Sequence, residues 1–202
     1  MRKFFNAYGG VKMTKKRINP LDNDIQEIFL SHEDIVTICA KLGKRISKDY
    51  EGKTPLLIGL LRGCVPFLAE LIKHLTIHCE YDFLEVESYF GGTVSTHAVT
   101  IKRDLTSDIV GRHLIIVDDI IDTGLTLKTI CKMLEDKGAA SIEIATLLNK
   151  PAGRNVIGAD PKYIGTEIPN AFVVGFGLDY QQKYRNLPYI GILKPHMYQK
   201  DK

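Results

Sequence analysis

The sequence has no apolar run of the roughly 20 residues that a membrane-spanning helix needs. Its longest runs, such as residues 56–61, have the length of buried strands. Residues 1–17 also lack the apolar core of a secretory signal. We therefore expect no membrane partner.

Cysteine is scarce, and no C-x-x-C pair occurs. The four cysteines stand far apart along the chain, at Cys39, Cys64, Cys79 and Cys131. This usage is typical of a reducing compartment rather than of a disulfide framework, so the expected location is cytoplasmic.

Acidic side chains are absent from residues 1–17, which hold six of the 27 basic residues. The remainder therefore has 21 basic against 24 acidic residues, a net charge of −3. This balance disfavours a basic nucleic-acid-binding face over the whole protein. We expect residues 1–17 to be a basic, solvated and disordered tail, although Met13 leaves an upstream start open.

Two familiar nucleotide motifs are missing. The sequence contains neither the Walker loop G-x-x-x-x-G-K-[ST] nor the dinucleotide fingerprint G-x-G-x-x-G. Gly175-Phe176-Gly177 lacks the third glycine and is interpreted as the end of a strand. Repeats, low-complexity blocks and flexible linkers are also absent, so residues 18–202 are predicted to form a single domain.

Helical and strand patterns alternate along the chain. Ser31 has the position of an N-cap before a helix that runs to about Tyr50, and further helices are expected after Gly63 and at 126–137. Strands are predicted at 55–61, 80–88, 99–102, 113–117, 141–148, 163–166, 171–176 and 189–193. This order predicts an α/β fold in which helices flank a parallel twisted sheet, with a small subdomain near the carboxyl edge of its strands.

The segment Asp118-Asp119-Ile120-Ile121-Asp122-Thr123-Gly124-Leu125-Thr126, here called the phosphate loop, joins an apolar strand to a helix. Gly124 permits close backbone approach. Backbone N–H groups at a helix start, with the hydroxyls of Thr123 and Thr126, suit a phosphate.

Asp118 and Asp119 would repel that phosphate unless they bind sugar hydroxyls or a metal beside it. The pattern therefore favours a sugar phosphate, with its phosphate at residues 122–126 and its diol at the two carboxylates. The structural alternative is a capped helix after a buried strand, with Asp122 as the cap.

Residues 113–126 resemble the phosphoribosyl-diphosphate (PRPP) signature of type I phosphoribosyltransferases. Other segments resemble the hypoxanthine-guanine members of that family, and the likeness runs in order from about residue 30 to 195. The segments that match these members are the Leu61-Arg62-Gly63 turn, Ser88-Tyr89, Lys150, and the block from Phe172 to Tyr180 with Arg185. The resemblance implies the type I fold, with a hood subdomain built from the chain ends.

The implied reaction is purine salvage, in which a purine nitrogen displaces pyrophosphate from ribose C1 of PRPP to give IMP or GMP. By resemblance, Asp118 and Asp119 hold the ribose hydroxyls, directly or through Mg²⁺. Asp122 is the expected catalytic base near purine N7. The 5′-phosphate-binding residues are Asp122, Thr123, Gly124, Leu125 and Thr126.

The resemblance also assigns the purine site. Lys150 is expected to donate to the 6-oxo group and so select 6-oxopurines, Phe172 to stack on the ring, and Val173 to contact the base edge. Asp179 is expected beside the purine and at a second magnesium-binding face. Taken alone, Phe172 has the plainer interpretation of core packing and Lys150 that of a solvated loop residue.

Pyrophosphate binding is assigned to Arg62, Gly63, Ser88, Tyr89 and Arg185. In the family the turn before Gly63 contains a non-proline cis peptide. This chain departs in having Arg62 where many relatives have Lys, and Cys64 where they have Gly or Ser; an exposed Cys64 thiol would be oxidisable. Residues 89–98, with Gly91-Gly92, are a candidate lid, or else a plain surface loop.

Three other functions have less support in the sequence. A xanthine-preferring relative would differ near purine C2, which the sequence does not resolve. A regulator on the same fold that binds RNA or DNA needs a basic face, which the charge balance disfavours. A PRPP-making kinase would need a second nucleotide-binding segment. Relatives are usually dimers or tetramers, so a homodimer or homotetramer is expected.

Overall fold

A computed structural model describes residues 19–88, 99–153 and 160–199 of the chain. Its strands are β1 (Ile25–Leu30), β2 (Leu56–Leu61), β3 (Glu80–Ser88), β4 (Val99–Arg103), β5 (His113–Ile121), β6 (Ser141–Asn149), β7 (Tyr163–Glu167), β8 (Val173–Val174) and β9 (Ile190–Leu193). Its α-helices are α1 (His32–Asp49), α2 (Cys64–Ile72), α3 (Leu125–Asp136) and α4 (Pro195–Tyr198), with short 3-10 turns at Pro20–Asp24 and Pro151–Gly153. The predicted tail 1–17 and the candidate lid 89–98 lie outside the described residues.

Six strands form the central sheet in the order β4-β3-β2-β5-β6-β7. Only β4 runs antiparallel to its neighbour, so the predicted parallel α/β sheet is confirmed. Side chains of α1 and α2 pack in the core on one face, and those of α3 pack on the other. The covering of both faces explains why β2 and the first half of β5 are continuously apolar.

Helix α1 begins where the local sequence predicted. The Ser31 hydroxyl accepts from the Asp34 backbone N–H at 3.1 Å, and an Asp34 carboxylate oxygen accepts from the Ser31 N–H at 3.0 Å. This capping box satisfies two donors that the first turn leaves without helical partners. Ile35, Cys39 and Ile46 are fully buried on the face toward the sheet.

Strand β5 is longer than the apolar run that predicted it. The sequence placed its end at Val117, but the backbone stays paired with β6 through Ile121, opposite Asn149. Asp118 and Asp119 therefore lie within the strand rather than in the turn after it. The prediction was wrong because two acids interrupt the apolar pattern, whereas the ladder of backbone hydrogen bonds does not depend on side chains.

A second, antiparallel sheet has the order β1-β9-β8 and joins strands from near both ends of the described chain. Strand β1 was not predicted, since its partner β9 lies about 160 residues downstream. Strand β8 is two residues long rather than the predicted six. Gly175 and Phe176 have φ values of 98° and 48°, which turn the chain out of the extended conformation.

Within the described ranges, no helix is long and apolar enough to span a bilayer.

Asp82 anchors the base of the β3–β4 hairpin. Its carboxylate, 5% exposed, accepts from the backbone N–H groups of Phe83, Thr106 and Ser107 at 2.7–2.8 Å. Burial by itself raises the pKa of Asp82, but these hydrogen bonds outweigh it and lower the pKa to about 2. One carboxylate thus joins β3 to the segment that follows β4.

Asp82→Asn should lower the free energy of unfolding by about 2–3 kcal/mol, because the amide NH₂ group cannot accept from three converging donors. The contribution of Asp82 should be fully present above the unfolded pKa of about 4 and be lost as pH falls toward 2. Urea titrations of both proteins between pH 3 and 7 measure this. Equal stability of the two proteins at pH 7 would contradict the anchoring role.

Candidate active site

Two adjoining cavities lie at the carboxyl ends of the central strands. The first, of about 380 Å³, is lined by Gly63, Asp119, Ile120, Asp122, Lys150, Ala171, Phe172, Val173, Leu178, Asp179 and Arg185. The second, of about 180 Å³, is lined by Asp118, Ile120, Ile121, Asp122, Thr123, Gly124, Thr126 and Leu127. Most of the predicted site residues meet here, and Asp122 borders both cavities.

Arg62 and Leu125 lie outside these linings. Arg62 is at the rim, where its guanidinium Nε is 3.5 Å from a Glu85 carboxylate oxygen. Ser88 ends β3, and Leu125 opens α3 without lining either cavity. Tyr89 lies outside the described residues.

The phosphate loop ends in a helix start that has no side-chain cap. Helix α3 begins after Gly124, whose φ of 78° is a left-handed conformation that favours glycine. No side chain caps this start, so Asp122 does not serve as the N-cap. The second cavity therefore lies against backbone donors at a helix N-terminus, a setting that suits a phosphate.

The neighbouring carboxylates of Asp118 and Asp119 do not ionise normally in the ligand-free protein. Burial raises the pKa of Asp118 well above its usual range, and the adjacent charge of Asp119 raises it further. Burial also raises the pKa of Asp119, against hydrogen bonds that favour its ionised form. A cation or sugar hydroxyls at this position would relieve the unfavourable ionisation.

The turn after β2 packs tightly against these acids. The Leu61-Arg62 peptide bond is cis, as the resemblance implied. A β-carbon at Gly63 would overlap the Asp119 carboxylate, and one at Gly177 would overlap the Gly63 carbonyl. Only glycine at both positions lets the turn approach Asp119 so closely.

Cys64 follows this turn and is fully buried. Burial raises the pKa of its thiol, and the charges of Asp118 and Asp119 raise it further. A buried, protonated thiol reacts slowly, so the oxidation considered for an exposed Cys64 has no structural support.

Lys150 and Asp122 form an ion pair across the mouth of the first cavity. The Lys150 Nζ is 3.6 Å from an Asp122 carboxylate oxygen. The lysine side chain is only 17% exposed, against 52% for the aspartate, so the solvated-loop interpretation of Lys150 is wrong. The pair presents a donor and an acceptor side by side at the ends of adjacent strands β5 and β6.

Phe172 forms an aromatic wall of the first cavity. It lies before β8 and is 37% exposed, which rules out the core-packing interpretation. Its ring stacks on Tyr198, with centroids 4.8 Å apart and planes at 19°, and meets Tyr180 edge-on. Sequence reasoning missed Tyr198, because a four-residue helix such as α4 has no periodic pattern to find.

Arg185 is held by the loop that follows β8. Its Nη2 lies 2.7 Å from an Asp179 carboxylate oxygen, and its Nη1 donates to the Gly177 carbonyl at 2.6 Å. Its Nε–H is buried without a partner in the described part of the chain. Asp179 therefore supports the arginine in the ligand-free protein. Within the described residues, Asp118, Asp119 and Asp179 do not form a three-ligand metal cluster.

Comparison with known proteins gives a consistent result. Residues 26–181 match the family model described as phosphoribosyl transferase domain. A hypoxanthine-guanine phosphoribosyltransferase of Streptococcus pneumoniae is 53% identical over 178 residues, which cover 88% of this chain and 98% of the relative. One from Lactococcus lactis is 52% identical over 180 residues, which cover 89% of this chain and 97% of the relative.

Solved structures agree with these relatives. A hypoxanthine phosphoribosyltransferase from Staphylococcus aureus superposes with a TM-score of 0.87 at 45% identity. The match covers 92% of this chain and 100% of the other.

Asp118→Asn should stabilise the ligand-free protein at pH 7.5 by about 1 kcal/mol, because it removes a buried charge and its repulsion with Asp119. The raised pKa of Asp118 means that wild-type stability should increase as pH falls through that pKa toward 4, and the variant should show a weaker dependence, because burial still raises the pKa of Asp119. Thermal unfolding from pH 4 to 8 measures both effects. A lower unfolding midpoint for the variant at pH 7.5 would contradict burial as the dominant cause.

Proposed function

The chain belongs to the hypoxanthine-guanine phosphoribosyltransferase family, and from this we propose how its site transfers the 5-phosphoribosyl group of PRPP to a 6-oxopurine. The products are the purine nucleotide and pyrophosphate. The observation that carries the proposal is the pair of adjoining cavities. One offers a helix N-terminus to a phosphate, the other an aromatic wall and a donor–acceptor pair to a base, and Asp122 borders both.

Residues 122–126 bind the 5′-phosphate in the second cavity. The helix start supplies backbone donors and Thr123 and Thr126 supply hydroxyls, so no basic side chain is required. The ribose then lies toward β5, where Asp118 and Asp119 accept from its hydroxyls. Their arrangement within the strand keeps both carboxylates at the carboxyl edge of the sheet, beside the cavity floor.

The chemistry of the two acids fits Mg²⁺. Magnesium favours one or two carboxylates together with substrate oxygens and water, and the adjacent carboxylates of Asp119 and Asp118 line the first and second cavities. When bound with PRPP, Mg²⁺ would neutralise charge on the diphosphate as it leaves. Asp179, already paired with Arg185, would contribute to a second magnesium-binding face.

The purine lies in the first cavity against Phe172, with Val173 at its edge. Purine N7 and the 6-oxo oxygen are neighbours on one edge of the base, which matches the neighbouring positions of Asp122 and Lys150. Lys150 donates to the oxygen, and Asp122 takes the purine proton as the new C1–N bond forms. Adenine would present a donor to Lys150, leaving two donors opposed.

Pyrophosphate leaves toward Gly63, Arg62 and Arg185. The Gly63 turn contacts Asp119 directly, and the buried Nε–H of Arg185 lacks an acceptor within the described residues. A diphosphate oxygen would supply that acceptor, and arginine suits the task because its donors form a planar fork. Ser88 and Tyr89 stay predicted diphosphate contacts.

The alternatives are weaker. The family assignment and the acidic balance of residues 18–202 both disfavour a nucleic-acid-binding regulator. A preference for xanthine would depend on groups near purine C2. A cytoplasmic location is supported by four free cysteines, and a homo-oligomeric state stays a prediction from the family resemblance.

The purified full-length protein with PRPP and Mg²⁺ should convert hypoxanthine and guanine to nucleotides. It should reject adenine by at least about 10²-fold in kcat/KM, since the unmatched donor at Lys150 costs about 1–3 kcal/mol and adenine also loses an acceptor. A competition assay with hypoxanthine, guanine, xanthine and adenine measures this. Absence of turnover with every 6-oxopurine would refute the proposal.

Asp122→Asn should lower kcat by about 10²-fold or more, because the amide cannot accept the purine proton. The thermal midpoint should change little, since Asp122 is half exposed and does not cap α3. Steady-state kinetics and thermal unfolding of the same preparation separate the two effects. A kcat change below threefold would reduce Asp122 to a binding residue.

A further inference from the structure

The turn after β8 contains a contact that joins Asp179 to Arg185 through a third residue. The Gln182 backbone N–H donates to an Asp179 carboxylate oxygen at 2.8 Å. The Gln182 side-chain oxygen accepts from Arg185 Nη2 at 3.0 Å, and the same Nη2 lies 2.7 Å from the other Asp179 oxygen. Gln182 therefore closes a ring of hydrogen bonds around the arginine head.

The backbone at this point is unusual for its residues. Tyr180 and Lys183 exchange backbone hydrogen bonds of 3.0 and 3.2 Å, which makes Gln181 and Gln182 the central pair of a two-residue hairpin turn. Their φ values are 53° and 64°, as in a type I′ turn. Such turns strongly favour Asn-Gly, whereas glutamine in the left-handed region is disfavoured.

A disfavoured residue in a strained turn is a reason to look for function there. The type I′ turn directs the Gln182 backbone N–H to one side of the ring while its long side chain reaches Arg185. Glycine would adopt the turn more easily but offers no side-chain acceptor. Asparagine also tolerates the left-handed conformation, but its side chain is one methylene shorter.

The held arginine lines the first cavity together with Gly63 and Asp119. Its Nη1 is engaged by the Gly177 carbonyl and its Nη2 by the ring, while the buried Nε–H has no partner in the described part of the chain. An arginine side chain that is free in solution loses rotamer freedom when it binds an anion. The ring of hydrogen bonds restricts the Arg185 rotamers before the anion binds, so less entropy is lost on binding.

We infer that Gln182 is a positioning residue, which holds the Arg185 guanidinium in the orientation that binds the diphosphate of PRPP and the pyrophosphate product. This rests on the proposed function. Gln182 acts through Arg185 and does not itself contact the reacting atoms.

The test compares Gln182→Gly with Gln181→Gly. Both variants relieve a left-handed glutamine in the same turn, but among the described residues the Gln181 amide hydrogen-bonds only to the Tyr180 hydroxyl, at 3.2 Å. Gln182→Gly should raise the KM for PRPP and the Kd for inorganic pyrophosphate about tenfold, the loss expected for one positioning contact to a charged group. The KM for hypoxanthine should stay within about twofold. Gln181→Gly should leave all three values unchanged.

Two more variants distinguish the side-chain oxygen from the turn. Gln182→Glu keeps an acceptor at the same reach and should restore most of the affinity for pyrophosphate. Gln182→Asn keeps the turn but falls short of Arg185 and should behave like Gln182→Gly. Thermal midpoints of the four variants should agree with that of the wild type within a few degrees, which excludes a loss of folding.

Isothermal titration with inorganic pyrophosphate and Mg²⁺ needs no turnover and so tests the inference apart from the proposed function. Equal pyrophosphate affinity of the two glycine variants would overturn the inference, as would a wild-type protein that binds no pyrophosphate. A parallel rise in the KM for hypoxanthine would assign Gln182 a general structural role instead. Pyrophosphate binding that depends on Gln182 in a protein without phosphoribosyl transfer would support the inference and refute the proposed function.

Discussion

The ionisation of Asp118 and Asp119 is the constraint around which the rest of the site is arranged. Two adjacent, half-buried carboxylates are unfavourable when both are charged unless a counter-ion or several donors lie beside them, and burial raises the pKa of each. Their place inside β5 fixes the backbone of both residues at the carboxyl edge of the sheet. A cation or sugar hydroxyls beside them would stabilise the ionised pair.

Close packing around that pair limits the neighbouring residues. Gly63 must lack a β-carbon because the Asp119 carboxylate occupies the space that it would need. Gly177 must lack one because the Gly63 carbonyl occupies the corresponding space. A chain of contacts thus runs from β5 through the turn after β2 to the loop after β8. Three segments that are distant in sequence are therefore in contact. Their packing brings Arg185 and Asp119 into the lining of the same cavity.

The two cations that line the first cavity are each paired with a carboxylate. Lys150 faces Asp122, and Arg185 faces Asp179. These pairs lower the cost of keeping partly buried charges in the site. Asp122, Lys150, Asp179 and Arg185 all line the first cavity, where a base or a diphosphate would meet them.

Several parts of this protein followed from local sequence alone. The capped start of α1, the strand–helix alternation and the glycine that opens α3 depend on residues within a few positions of one another, so their patterns are visible in the chain. The site residues of the phosphate loop were found for the same reason. Their grouping with Lys150 and the Phe172–Arg185 region came from family resemblance, since no spacing rule links segments that lie more than 20 residues apart.

The tertiary structure decided the remainder. It extended β5 through both aspartates, formed β1 by pairing with a strand about 160 residues away, and stacked Tyr198 on Phe172. It also determined that Asp122 faces Lys150 instead of capping α3. The sequence by itself therefore determined the order of the helices and strands and the types of reactive side chain in the site, because these are local properties. Which groups are buried, paired or left without a partner depends on contacts between distant segments, and only the fold brings those together.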